Sequence, residues 1–357
     1  MSKEIIKADI AIIGGGLTGL TLNYLLRNEG FRVLVIESRD RLGGRIYTNK
    51  NENSAAVEMG ATWFGRNHQH LNALLKTLDL GIFKQEIGTR AIYEPMAGNP
   101  AQLVQLPAND EPSYRIKGGT SSLIERLSEH LEASELFLNQ SIKSIRAVEN
   151  KLLVESENQN FQVGKVISTL PPNLFESTIQ ITPSLSNEVK GLMKSTHTWM
   201  GDSIKIGLTY DFPFWKEKNT SGTIFSNVGP VTELYDHSNY ENNSFALKGF
   251  LNSNYYSLER EERLSAILKQ LKKYYGNVVE NYSDYKETVW RGEADTYAEY
   301  PSYVAPHQNN GHSFYHQSYL NNKLYIGGSE TSKNFPGYME GAIQSANYIY
   351  QQIKKVA

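Results

Sequence analysis

Residues 8–20, Ala8-Asp9-Ile10-Ala11-Ile12-Ile13-Gly14-Gly15-Gly16-Leu17-Thr18-Gly19-Leu20, decide the fold. A short apolar run meets a glycine cluster, and the pattern then turns helical over residues 17–28, with Leu20, Tyr24 and Leu25 among its apolar positions. Residues 31–36 form a second apolar run that ends at Glu37. The order is strand, turn, helix, strand, a βαβ unit at the start of the sequence. Gly14, Gly16 and Gly19 complete G-x-G-x-x-G in the setting that gives the motif meaning. Gly14 permits the tight turn, Gly16 lets a pyrophosphate approach the backbone, and Gly19 lets helix and strand pack closely. The helix start, which holds Thr18, offers free N–H groups and a positive dipole end to phosphates. Glu37 stands where a ribose-binding carboxylate belongs.

Working outward, residues 71–78 and 121–134 read as helices, the second after the Gly118-Gly119 turn. Strands are predicted over 136–145, 151–156 and 166–170, the last stopped by Pro171-Pro172. Further strands are predicted over 203–210, 245–251 and 323–327, with an amphipathic helix over 260–275 and a closing helix over 341–354. The polar stretches 97–111 and 237–243 read as exposed loops. No internal repeat or low-complexity tract interrupts this order.

Composition narrows the function classes. A net charge of −2 leaves no excess of Lys and Arg for a nucleic-acid backbone. The absence of cysteine removes disulfides, thiolate metal sites and thiol catalysis together. The eight histidines show no metal-ligand spacing, and His68 and His70 read as loop or surface residues. No nucleophile elbow stands out. The N-terminal residues run directly into the first strand and leave no room for a signal peptide, and no run of about 18 apolar residues appears. A cytoplasmic protein without a membrane span is the expectation.

The residues after Glu37 point to a particular dinucleotide. Glu37-Ser38-Arg39-Asp40-Arg41-Leu42-Gly43-Gly44-Arg45 reads E-x-x-x-R-x-G-G-R and resembles the flavin-containing amine oxidase family and related FAD families. Gly43 and Gly44 bring the backbone to the cofactor, and Arg45 reaches its pyrophosphate with a forked donor. The resemblance runs from about residue 8 to about residue 353. Val57-Glu58-Met59-Gly60-Ala61-Thr62-Trp63 resembles the family segment beside the isoalloxazine ring, Ile142 matches the position that meets the adenine, and Ser168-Thr169-Leu170-Pro171-Pro172 resembles the strand-to-diproline passage. Gly327-Gly328-Ser329-Glu330 with Gly337-Tyr338-Met339-Glu340-Gly341-Ala342 is similar to the C-terminal flavin motif. That segment opens a helix whose N–H groups would face the pyrimidine end of the flavin, where reduction builds negative charge.

Met200-Gly201-Asp202-Ser203-Ile204-Lys205-Ile206, followed by Pro213-Phe214-Trp215, resembles the monoamine oxidase segment that bears the active-site lysine. Pattern alone favours a lysine on the solvent face of a half-exposed strand, since Lys is rarely buried. The resemblance gives Lys205 the role of holding a water toward flavin N5, with burial favouring the neutral amine. Trp290, ten residues before Tyr300, matches the family spacing to the first of two aromatic walls in front of the flavin, and Tyr338 is the second. The residues implied at the cofactor are Gly14, Gly16, Thr18, Gly19, Glu37, Ser38, Arg39, Gly44, Arg45, Gly60, Ala61, Thr62, Ile142, Trp290, Gly328, Ser329, Glu330, Tyr338, Met339 and Ala342; those implied in catalysis are Lys205, Tyr300 and Tyr338.

Two departures from the family qualify this reading. Glu299 stands where animal monoamine oxidases carry the cysteine that tethers the flavin, so FAD is expected to be non-covalent. Between Trp63 and the Gly118-Gly119 turn the chain lacks much of the helical insertion that roofs the cavity in larger members, which leaves the cavity open or covered by a partner or second copy. The implied architecture is an α/β Rossmann-type FAD domain (residues 1–80, 117–193 and 293–357) interleaved with an α+β substrate domain (residues 81–116 and 194–292). The implied reaction is oxidation of an amine C–N bond to an imine by hydride transfer to flavin N5, with O2 reoxidation giving H2O2. A desaturase-like or protoporphyrinogen-oxidase-like enzyme, a flavin-dependent mutase, or a flavin-carrying binding protein without turnover also fits the FAD motifs.

Overall fold

The computed structural model describes residues 4–51, 54–217 and 220–356. Ile5–Ile13, Val33–Ile36 and Asn160–Ser168 form the parallel centre of a nine-stranded sheet, with Leu324–Ile326 beside the end of the last. The registers Ile13↔Ile36, Ile13↔Ser168 and Ser168↔Ile326 bring four carboxyl ends to one level. The segments that follow them, at Gly14, Glu37, Thr169 and Gly327, therefore open side by side, which is where doubly wound sheets bind ligands. Towards these carboxyl ends, at residues 10–13, 33–36, 166–168 and 324–326, the strands are buried on both faces, consistent with their apolar runs.

The helix Leu17–Leu26 returns over the sheet beside the closing helix Met339–Val356. A Cβ on Gly19 would lie 2.1 Å from the Gly14 carbonyl oxygen and 3.1 Å from Ile12 Cγ2. Gly19→Ala must therefore push helix from strand, an overpacking cost of about 1–3 kcal/mol. Thermal unfolding should show a lower midpoint, and an unchanged midpoint would show that the contact yields freely.

A second, seven-stranded sheet runs in the order Asp284–Val289, Ile204–Tyr210, Phe245–Leu251, Val231–Asp236, Ile224–Ser226, Arg90–Glu94, Gln102–Gln105. Ile204, Ile206, Leu208 and Tyr210 share a core with Ile267 and Leu271 of the helix Arg260–Tyr275. The hairpin Thr48–Asn51 with Ser54–Glu58, a two-stranded sheet of its own, packs on the other face of this one. Gly207 makes that contact possible, because a Cβ there would stand 2.6 Å from Val57 Cγ1.

Five readings of the sequence need correction; the helix read over 121–134 ends at Ser128, and His68, read as a loop or surface residue, is buried. Residues 136–145 are two strands, Leu136–Phe137 and Ile142–Val148. Between them Asn139 takes a φ of 56°, and the strands then pair with different neighbours. Residues 97–111 contain the strand Gln102–Gln105, held by backbone pairing to Arg90–Tyr93 despite its exposed side chains. Within 237–243, His237 is buried, its Nε2 accepting from the Glu58 N–H at 3.2 Å. Among the described residues no helix is long and apolar enough to cross a membrane.

Candidate active site

A cleft of about 700 Å3 follows the aligned strand ends from Glu37 to Tyr338. At its first end the Glu37 carboxylate accepts from Gly15 N at 2.7 Å, Arg39 N at 3.0 Å and Ser38 Oγ at 3.2 Å. A carboxylate has lone pairs to spare beyond these, so a sugar hydroxyl can still donate to it. Gly14, with φ 108°, Gly16 and Gly44 leave the wall bare of side chains. The first helix starts from Gly16 with no side-chain cap, so its leading N–H groups are available to an anion. Leu17 and Thr18 line the cleft there.

A second cavity of about 730 Å3 shares Arg45, Ala61, Gly337, Tyr338 and Met339 with this cleft. Gly60, Ala61 and Thr62 form one wall, pinned by Ala61 N to Arg45 O at 3.0 Å and by Trp290 Nε1 to Met59 O at 2.8 Å. Met339 and Ala342 bring the first turn of the closing helix to the site. Carboxylate, glycine wall, helix start and wider aromatic end follow one another as the nucleoside, pyrophosphate and ring system of FAD do. The residues present fit that cofactor.

Lys205 lies in a strand paired on both sides, with all seven residues buried. It opposes Ile204 and Ile206 as the alternation requires, but its face is covered by the Gly60 segment, not by solvent. Its Nζ donates to Gly60 O at 2.5 Å, and burial pulls it down to about 8 against the opposing charge of Glu58.

Arg45 borders both cavities, yet its fork is engaged by Glu330 at 2.5 and 2.8 Å, with Ser329 Oγ at 2.9 Å. Glu330 is wholly buried behind it and does not line the cleft. Arg39 likewise ties down the opposite wall, through Glu293 at 3.1 Å and Thr296 Oγ1 at 2.9 Å. Ile142, Ser38, Gly19 and Gly328 sit behind the lining: Ile142 in the core of the first sheet, Gly19 against Gly14, Gly328 against Thr169.

Tyr300 and Tyr338 are not brought together at the cavity. Tyr338 lines both cavities, whereas the Tyr300 hydroxyl accepts from Thr198 N at 2.7 Å and its ring meets Tyr297 edge-on at 5.9 Å. The aromatic wall beside Tyr338 is Trp199, 5.5 Å away, and His307 stacks on Trp199 at 4.2 Å while lying 6.4 Å from Tyr338. Tyr300 holds the segment that carries Trp199. Trp199 has no motif to mark it, since it precedes the strand that bears Lys205. Lys248 was missed too, and it had a signal: one lysine within the apolar run Phe245–Leu251, as Lys205 is one within Ile204–Tyr210. Lys248 is fully buried, with Nζ hydrogen-bonded to Thr62 Oγ1 and 4.1 Å from the Trp63 ring centroid.

Comparison with known proteins agrees with this geometry. Residues 12–78 match the NAD(P)-binding Rossmann-like domain, and residues 96–349 match the family described as flavin containing amine oxidoreductase. The chain is 23% identical to a probable flavin-containing monoamine oxidase A of Dictyostelium discoideum, covering 97% of each protein. It is 22% identical to human amine oxidase [flavin-containing] B, covering 97% of this chain and 86% of that one. Its fold is similar to putrescine oxidase bound to putrescine (TM-score 0.85, 22% identity, 99% and 100% coverage) and to cyclohexylamine oxidase from Brevibacterium oxydans (TM-score 0.84, 18% identity, 97% and 99% coverage). With a family match over most of its length and a cleft shaped for the dinucleotide, the chain belongs to the flavin containing amine oxidoreductases, with FAD as its cofactor and no cysteine to tether it.

Proposed function

We infer that the protein oxidises the C–N bond of a small amine to an imine, in a cavity bounded by Lys205, Trp199 and Tyr338. Bound FAD supplies the acceptor for the hydride equivalent and, through O2, the route to H2O2. The observation that carries this reading is Lys205, a lysine buried in an interior strand of a sheet and turned onto the cavity wall. A buried amine can orient a water by hydrogen bonding, and burial lowers the pH at which it gives up its proton towards neutrality. Trp199 and Tyr338 line the cavity with aromatic rings that exclude water, and an aromatic face favours a positively polarised nitrogen. Residues 1–80, 117–193 and 293–357 act in this reading as the cofactor domain, and residues 81–116 and 194–292 as the substrate domain. A second copy or a partner protein covers the cavity that the short roof leaves open.

The test is anaerobic addition of an amine panel to the yellow protein. Bleaching by a member of the panel, followed on aeration by recovery of colour and one peroxide per turnover, is the expected result. A protein that stays yellow across primary, secondary and polyamine members is no amine oxidase. Bleaching without peroxide would replace O2 by another acceptor.

A further inference from the structure

Lys248 is a charged residue type with no solvent exposure, and among the described residues no carboxylate lies within ion-pairing distance of it. Unpaired buried ammonium groups are costly enough that such a lysine gives up its proton instead. Its register explains its neighbours. Lys205 pairs with Phe250 and Gly207 with Lys248, so Lys205 and Lys248 are diagonal neighbours on one sheet face, turned to the Gly60–Trp63 wall. Thr62 links them: its Oγ1 donates to Gly60 O at 3.1 Å, the same carbonyl that accepts from Lys205, and meets Lys248 Nζ on its other side. Thr62 lines the cavity and Lys248 stands behind it.

We propose that Lys248, acting through the Thr62 hydroxyl, accepts the proton that an amine carries into the cavity. This rests on the amine-oxidation reading above, which requires a neutral nitrogen, whereas an aliphatic amine in water is mostly ammonium, its ordinary pKa close to the lysine value of about 10.4. The ammonium N–H proton passes to Thr62 Oγ1 as the Thr62 O–H proton passes to the lone pair of Lys248 Nζ. One N–H and one O–H bond break, one O–H and one N–H bond form, and the positive charge moves from substrate to Lys248. The hydroxyl contact serves both states, since a neutral amine accepts from it and an ammonium donates to it.

The energetics are balanced because donor and acceptor are chemically alike. Burial first, then the charge of Lys205, with Glu58 opposing and Arg115 reinforcing, holds Lys248 well below its ordinary range. A substrate ammonium beside Lys205, in a cavity whose lining includes no carboxylate, is likewise desolvated and meets the Lys205 charge that also acts on Lys248. Proton transfer between matched groups is efficient. Once charged, Lys248 faces the ring of Trp63, which stabilises a cation. The other groups around it are accounted for. Glu58 accepts from Thr120 N and Thr48 Oγ1, Arg115 donates to Ser238 O, and burial first, then the Arg115 charge, holds His237 well below its ordinary range.

The experiment takes the holoprotein and the amine that bleaches it fastest without oxygen. Two quantities are read across pH: the amine dissociation constant from the anaerobic reduction rates, and the protons released to an indicator dye on mixing, before bleaching. In the wild type the ammonium enters whole, so affinity stays level below the amine's own pKa and no proton is released. In Lys248→Met only the free base binds, so affinity drops about tenfold per pH unit and about one proton appears per amine bound. Thr62→Val, which breaks the same route while leaving the lysine, should behave alike and serves if Lys248→Met does not fold. Level affinity and no proton release in a folded variant would overturn the role of Lys248. Failure of every amine to bleach the wild type would instead remove the reading on which it rests.

Discussion

Replacing Lys205 by Met should slow the flavin half-reactions by about 100-fold or more while raising the melting temperature. The loss follows from removing a water-orienting amine, a contribution of about 10²–10⁴ for groups that manage protons at a reacting centre. The gain follows from electrostatics. Burial lowers Lys205 to about 8, below the ordinary lysine value, so the folded state disfavours the ammonium that neutral solution imposes. The unfolded chain holds more protons than the native one between pH about 8 and about 10.4, and stability contributed by this site rises with pH through that window. Below it the charged lysine costs about 3 kcal/mol, as an order of magnitude. Met removes that cost and the lysine hydrogen bond to Gly60 O, a loss of about 1 kcal/mol, and leaves that carbonyl with the Thr62 hydroxyl as donor. Melting curves at pH 7 should place Lys205→Met above the wild type, and the gap should narrow near pH 10. Rates equal to wild type in both half-reactions would take Lys205 out of the chemistry.

Arg45→Met should destabilise the protein by about 3–5 kcal/mol and release its flavin. Glu330 is wholly buried, and its carboxylate stays ionised only because the Arg45 charge and forked hydrogen bonds outweigh the burial that would push it up. Without Arg45 it keeps only Ser329 Oγ and Trp199 N. Burial also pulls on Arg45, but Glu330 more than compensates and raises it. The pair is a fixed strut between the Gly44-Arg45 turn and the Ser329-Glu330 turn, which form opposite walls of the cleft. Since Glu330 is depressed in the folded state, its contribution is present above the ordinary carboxylate range and fades as acid protonates it. The double variant Arg45→Met with Glu330→Met should recover much of the melting temperature without recovering the colour, because no buried charge is then left alone. Equal melting temperatures for Arg45→Met and the wild type would show the strut to be dispensable.

Local pattern carried far in this chain because the cofactor site is built from contiguous turns. Gly14 to Gly19, Glu37 to Arg45, Gly60 to Thr62 and Ser329 to Ala342 each hold their chemistry within a few residues, and the strand ends that carry them are fixed by short apolar runs. Backbone geometry at such turns depends on the glycines themselves, so spacing is enough to read it.

Side-chain partnerships across the fold were not legible in that way. Arg45 has the residue type and the position for a phosphate, and only the packing of residue 330 against residue 45 turns its fork to Glu330. Tyr300 has the spacing of an aromatic wall, yet its hydroxyl is drawn to Thr198 N and Trp199 takes the place at the cavity. Lys248 stands out only as a lysine within an apolar run, and its burial is decided when the segment of residues 60–63 covers that face. The sequence by itself determined the βαβ entry, the dinucleotide cleft and the strand that carries Lys205, because those depend on local periodicity and on where glycine permits the chain to turn. Which charges are paired, which rings face the cavity and which lysines lose their water were decided only by tertiary structure. Desolvation and hydrogen-bond partners are properties of what two distant segments do to each other, and no single segment encodes them.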